Sequence, residues 1–161
     1  DWQADAVSPG VIKKGSGGSK PGSEPETKAF TEFILSHVKP SAKNIYLVSF
    51  HASYPPVGSV QPGYLEYGTP VVESDRFAQF ISAKSGYRYL KTWITTLPLT
   101  GELMHWCETL GIHSVDIELP SYDHPDTVTE GKTESMAETF DRTVRMILGE
   151  YLSRPSSRED G

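Results

Sequence analysis

The sequence has little with which to staple itself. Cys107 is the only cysteine, so an internal disulfide and a cysteine-built zinc site are both excluded. That fits a reducing compartment. No run approaches the roughly 18 consecutive apolar residues that a membrane-spanning helix needs. Positive charge is short as well. Fifteen Lys and Arg against 21 Asp and Glu leave a net charge of −6, with no basic stripe, which argues against a protein built on contacts to nucleic-acid backbone. No internal repeat is present, so solenoids and propellers drop out. The chain opens "DWQADAV" without an initiator Met or a signal peptide, and it reads as a trimmed piece or fragment. A cytoplasmic setting is favoured, since any N-terminal signal would lie outside it. What is present, 161 residues with 37% apolar and 11% aromatic side chains, suffices for one domain with one core.

The organisation follows from local signals. Residues 1–22 are rich in Gly, Ser and Lys and read as a flexible N-terminal loop. Ser23 and Glu26 are spaced as a capping box, with Pro25 tolerated in a first turn. Ala29, Phe30, Phe33, Ile34 and Val38 then recur at helical spacing up to Pro40. "NIYLVSF" (44–50) is a short apolar run that predicts a buried central strand. Residues 52–70 carry so many Pro and Gly that they predict a long loop, and loops of that length tend to be functional. Phe77, Phe80 and Ile81 share a face of a helix over 74–84, stopped by Gly86. "YRYLKTWI" (87–94) alternates as a strand, residues 101–111 form a short helix, and 112–119 form a strand. Met136, Phe140, Val144, Ile147, Leu148 and Tyr151 mark an amphipathic C-terminal helix, and 154–161 read as a disordered tail. Strands alternating with helices predict an α/β layer architecture.

Ligands on such sheets bind beyond the carboxyl ends of the strands, and His51 and Glu118 both fall at such ends. Ile112, Val115, Ile117 and Leu119 surround Glu118, and a carboxylate on an apolar strand is costly unless it has a partner or a task. A neutral imidazole is a good zinc ligand. A carboxylate beside a zinc-bound water can act as general base and later protonate a leaving amine. The plainer alternative is a core histidine with its hydrogen bonds satisfied and a glutamate paired to Lys or Arg. The residues by themselves leave both open.

The wider pattern bears on that choice. "SEPETKAF", "IYLVSFHASYPP" and "GYRYLKTWITTLPLTGELMHWCETLGIHSVDIELP" together resemble the zinc carboxypeptidase family, the carboxypeptidase A-like metallopeptidases. "SEPET" and "SFH" are most similar to its bacterial murein peptide amidases, which act on peptidoglycan peptides. The resemblance runs over roughly residues 20–120 and is carried by the order of its parts. These are Ser23–Thr27, His51, the Tyr-rich Tyr87–Ile94, Thr100–Trp106, and Glu118 followed by Leu119.

The resemblance implies a three-layer α/β/α fold with a mixed, mostly parallel sheet, seen here as the C-terminal part of a catalytic domain over 23–153. It implies that His51 binds zinc and that Glu118 promotes attack by the metal-bound water. Thr100, Gly101, Glu102 and Met104 would line the pocket that reads the substrate side chain. There Glu102 would favour a basic or amine-bearing group, unless it is simply a helix N-terminal charge. Two places depart from the family. Leu97 stands where a substrate-closing Tyr is common, and Ala52 displaces Ser53 and Tyr54 from their usual place after the His. The His-x-x-Glu motif and the carboxylate-binding Asn-Arg pair are absent from the sequence. His37, His105, His113 and His124 supply no equivalent.

The zinc ligand set is therefore incomplete, since catalytic zinc takes three protein ligands. The expected function is hydrolysis of a peptide bond near a free carboxylate end, with a peptide or murein peptide as substrate and the chain inactive alone. A partial sheet would also leave an unpaired edge open to association. Two other functions stay open: a non-catalytic binding module that kept the fold, and a related zinc amidohydrolase acting on N-acyl amino acids.

Overall fold

A computed structural model describes residues 19–20, 22–39, 42, 44–51, 57–92, 102–119 and 135–153. The elements in chain order are α1 (Pro25–His37), β1 (Ile45–His51), β2 (Ser59–Pro62), β3 (Tyr64–Glu66), β4 (Thr69–Pro70), α2 (Val72–Ser85), β5 (Arg88–Tyr89), α3 (Leu103–Thr109), β6 (Ile112–Glu118) and α4 (Met136–Met146). The last helix continues through one π-helical turn, Ile147–Tyr151. The fold is mixed α/β. Its main sheet runs β1-β6-β2-β5, with β1–β6 and β2–β5 parallel and β2–β6 antiparallel. Strands β3 and β4 form a separate antiparallel pair.

Side-chain alternation divides the sheet into two unlike faces. Tyr46, Val48 and Phe50 lie beside His113, Val115 and Ile117 on one of them. Val60 joins them from β2. Phe77, Ala78 and Ile81 of α2, with Ile147 after α4, close that side into the core, where all but Ile147 are fully excluded from water. Fully burying one such side chain contributes about 1.5–3 kcal/mol. Helix α3 packs against β6 from the other side, where Ser114 Oγ donates to the Met104 carbonyl over 3.3 Å. Helices thus flank the sheet on both faces.

The expected loop over 52–70 is corrected over its described part. Ser59–Pro62 is a strand inside the sheet, with every residue buried. Pro62 is tolerated there because of where its nitrogen points. The Gly63 N–H donates to Ser114 O of β6, so the preceding Pro62 nitrogen turns toward β5. Pairing with β5 ends at Val60, whose carbonyl accepts from Leu90 N. No ladder bond is lost to the missing N–H.

Helix starts also differ from expectation. The N-cap of α1 is Glu24, and no Ser23–Glu26 box forms; Ser23 Oγ donates to Glu24 instead. With Pro25 as the first helical residue, Ser23 sits one place too early to cap. The capping box occurs at α4, where Glu138 N donates to Ser135 Oγ and Ser135 N donates to Glu138 Oε2. The stripe expected on α1 buries nothing, and Phe30 and Phe33 are 40% and 56% exposed. Within 87–94 only Arg88–Tyr89 pair as a strand, and residues 93–94 lie outside the described residues. Gly86 ends α2 in the left-handed conformation, φ 78°, as its position predicts.

One buried carboxylate ties the pieces together. Glu108 of α3 accepts from Ser74 of α2 and, over 2.8 Å each, from the amide and hydroxyl of Ser114 in β6. A Cβ on Gly63 would lie 2.2 Å from both Glu108 Oε1 and Ser114 Oγ, so only glycine fits. Gly63→Ala is expected to lower stability by about 1–3 kcal/mol through overpacking. The check is a lower urea midpoint at unchanged slope, and an unmoved midpoint would mean that Glu108 is not held against this glycine.

Candidate functional site

The polar face of the sheet gathers the chemistry. His51 ends β1 and Glu118 ends β6, and the parallel register sets them directly opposite each other. Ser59 of β2 lies on the far side of Glu118, and Arg88 of β5 lies beyond Ser59. One row across the strands is therefore His51, Glu118, Ser59 and Arg88. The row behind it is Ser49, Asp116 and Gln61. Neighbouring strands stand about 4.8 Å apart, so each row is a continuous line of polar groups. Gly58 fixes the register at this end. Its N–H donates to Glu118 O and its carbonyl accepts from Arg88 N, which it manages at φ 67°, a conformation that favours glycine.

The groups differ sharply in exposure. Glu118 is 2% exposed and Asp116 8%, whereas the His51 side chain is 48% exposed. His51 Nε2 lies 3.3 Å from Asp116 Oδ1 and 3.0 Å from Ser49 Oγ. The hydrogen bond to Asp116 raises the His51 pKa, against the opposing effect of burial. The charges of Asp116, Glu118 and Glu102 add to the rise. The imidazole is drawn toward its protonated form.

Gln61 is 3% exposed, and neither its Nε2 nor its Oε1 has a hydrogen-bond partner. Leaving a buried polar group unsatisfied costs about 1–3 kcal/mol. Its flanking residues, Val60 and Pro62, face the core side, so the strand register holds Gln61 on the polar face.

The expected pocket residues separate. Glu102 is the N-cap of α3 but makes no capping bond with its side chain. It accepts from the Tyr64 hydroxyl, and its charge reaches His51. It faces the site's field rather than its own helix end. Burial, then the hydrogen bond to Glu102, pushes the Tyr64 pKa up, and the Tyr64 ring stacks on His105 at 5.7 Å. Met104 is 1% exposed, packed where α3 meets β6. Thr100, Gly101 and Leu97 lie outside the described residues, as do Ala52, Ser53, Tyr54 and His124. His37 is exposed, with Nδ1 2.8 Å from Phe33 O, and His113 sits beside Tyr46 on the opposite face.

Sequence reasoning missed Asp116 and Gln61. Asp116 was within reach of it, because a second carboxylate two residues before Glu118 must share its face. Gln61 was hidden by the assignment of its segment to a loop.

The donors were tested against zinc. Among the described residues no group of three or more His, Cys, Asp or Glu side chains is arranged to hold a metal. His51 turns one ring nitrogen to Ser49 and Asp116, and no second imidazole stands near it on this face. The described residues do not fit a complete zinc site. No described helix is long and apolar enough to cross a membrane.

No protein-family model matches the chain, and no curated protein matches it. Among solved structures it is similar to the crystal structure of murein-tripeptide amidase MpaA from Escherichia coli O157, with a TM-score of 0.49 and 18% identity. The match covers 87% of this chain and 51% of that one, so the chain spans about half of that protein's length.

The His51–Asp116 pair has a definite pH signature. Because the folded-state pKa of His51 is raised, its contribution to stability is complete below the unfolded value near 6.5. It fades as pH rises through the higher folded value. Asp116→Asn should lower the His51 titration midpoint measured by NMR and flatten stability against pH across that window. An unchanged midpoint would show that Asp116 does not hold the imidazole.

Proposed function

We propose that the chain is the C-terminal part of the catalytic domain of a zinc-dependent metallocarboxypeptidase or peptide amidase. It would hydrolyse a peptide bond near a free carboxylate end, on peptides of the peptidoglycan type. The observation that supports this reading is the pairing of His51 with Glu118 at the carboxyl ends of two adjacent parallel strands, where ligands of α/β sheets bind. The ordered motifs from Ser23–Thr27 through Trp106 support it independently.

Glu118 is the general base in this reading. Its carboxylate takes a proton from the attacking water and passes it to the leaving amine. Its 2% exposure suits a base shielded from bulk water. His51 is one imidazole donor among the metal's ligands, and the remaining ligands come from residues outside this sequence. The 161-residue chain is then inactive alone, and residues 23–153 contribute one part of a larger domain.

One observation favours a second reading, a non-catalytic binding module with the same fold. His51 Nε2 is already engaged by Ser49 and Asp116, as it would be if the histidine were structural. The two readings part on metal and turnover.

After dialysis the isolated chain should carry far less than one zinc per molecule by atomic absorption, and tight stoichiometric zinc would overturn the incomplete-site reading. In a longer protein that includes the missing ligands, Glu118→Gln should cut turnover roughly 10²–10⁴-fold while zinc stays bound. His51→Ala should instead lose the metal. Full turnover in Glu118→Gln would remove the proposed base.

A further inference from the structure

The unpartnered Gln61 amide is the feature of the polar face that the catalytic reading does not use. Its two donors and one acceptor are idle, although the residue is 3% exposed. Asp116, its neighbour across β6, is engaged with His51. The strand register keeps Gln61 from turning into the apolar core on the other face. A leucine of similar size would fill this position without a polar group to satisfy. An amide kept here has use for a partner that comes and goes.

We propose that Gln61 reads an amide of the bound ligand. Its Nε2 donates to a ligand carbonyl and its Oε1 accepts a ligand N–H, seating a peptide group over the row of Ser49, Asp116 and Gln61. The next row, with Glu118, then lies one pleat away along β6. Gln61 is a positioning and specificity residue, set in the middle of the sheet where the backbone is held on both sides by β6 and β5. The ligand class rests on the peptide-hydrolase reading. The hydrogen bonds themselves require neither the metal nor Glu118 as base.

The test compares N-acetyl-L-alanyl-L-alanine with its ester analogue, in which lactate replaces the second alanine and the ligand N–H is lost. Both are titrated at millimolar concentrations into the 161-residue chain and followed by ¹⁵N–¹H spectra, in which the Gln61 side-chain NH₂ gives its own pair of signals. The dipeptide should shift that pair saturably. The ester should bind about tenfold more weakly, the loss of one neutral hydrogen bond. Gln61→Leu should remove the discrimination between the two and raise Tm by about 2–4 °C, since an unmet polar group has gone.

Equal binding of amide and ester by the wild-type chain overturns the proposal, as does a Gln61 signal that neither ligand moves. Discrimination that persists in Gln61→Leu overturns it too. A Gln61→Leu chain less stable than wild type points to an internal water as the true partner, and overturns it as well. The wild-type comparison needs no variant to fold. Failure of the catalytic reading would appear elsewhere, in zinc content and turnover.

Discussion

The Glu108 carboxylate is the contact on which the rest of the architecture turns. A charge at 6% exposure is tolerated only if its oxygens are filled. Here they are filled from two different elements, α2 through Ser74 and β6 through Ser114. Burial pushes the Glu108 carboxyl up. The His113 ring beside it and the bonds from Ser74 and Ser114 outweigh burial and hold it below the ordinary carboxylate range. Its stabilising effect is therefore present above the unfolded-state pKa and is lost as pH falls through the lower folded value. Gly63 is forced by the same oxygens. With Gly63 fixed, its N–H reaches Ser114 and β2 is laid antiparallel along β6 in a single register.

That register decides what the polar face contains. Once Pro62 lies across from Val115, Gln61 must lie across from Asp116 and Ser59 from Glu118. A slip of one residue would send Val60 to the polar side and Gln61 into the core. The opposite face resists such a slip because Val60, Phe77, Ile81, Val115 and Ile117 are packed without exposure. Apolar packing on one face thus holds the functional rows on the other. The Glu73 carboxylate plays a lesser part on the core side. It accepts from Tyr46 and Tyr151 over 2.9 and 3.0 Å and joins β1, α2 and the turn after α4.

Much of this was legible in the chain, and the gaps have physical causes. β1, β6 and α2 carry their own period and boundary residues, so their existence and faces followed from spacing. Helix α3 followed from its flanking glycines. β2 did not. Its four residues, Ser-Val-Gln-Pro, have no period of their own, and they are a strand only because β6 and β5 hold them on both sides. The capping box at Ser135 and Glu138 was plain in "SMAE", yet the same pattern at Ser23 and Glu26 failed because a proline shifted the helix start. His51 and Glu118 were found as strand ends, but their facing register is a tertiary fact that no local pattern contains. Asp116 shares Glu118's face by simple alternation, and its grip on His51 required knowing that β1 is the neighbour.

The electrostatics of the rows explain why His51 is a poor metal donor within this chain. Asp116, Glu118 and Glu102 all favour its protonated form, and an imidazolium has no lone pair to offer a metal. Zinc would have to displace that proton, and the higher the pKa, the more metal affinity is lost near neutral pH. Further cationic charge near the carboxylates would relieve the opposition. An intact metal centre, whose own charge and remaining ligands come from elsewhere, would pull Asp116 and Glu118 toward itself and lower the demand they place on the histidine. The same three carboxylates that bind the proton in the isolated chain would then favour the metal in the assembled domain. Incomplete ligation and a raised histidine pKa are two consequences of one charge arrangement.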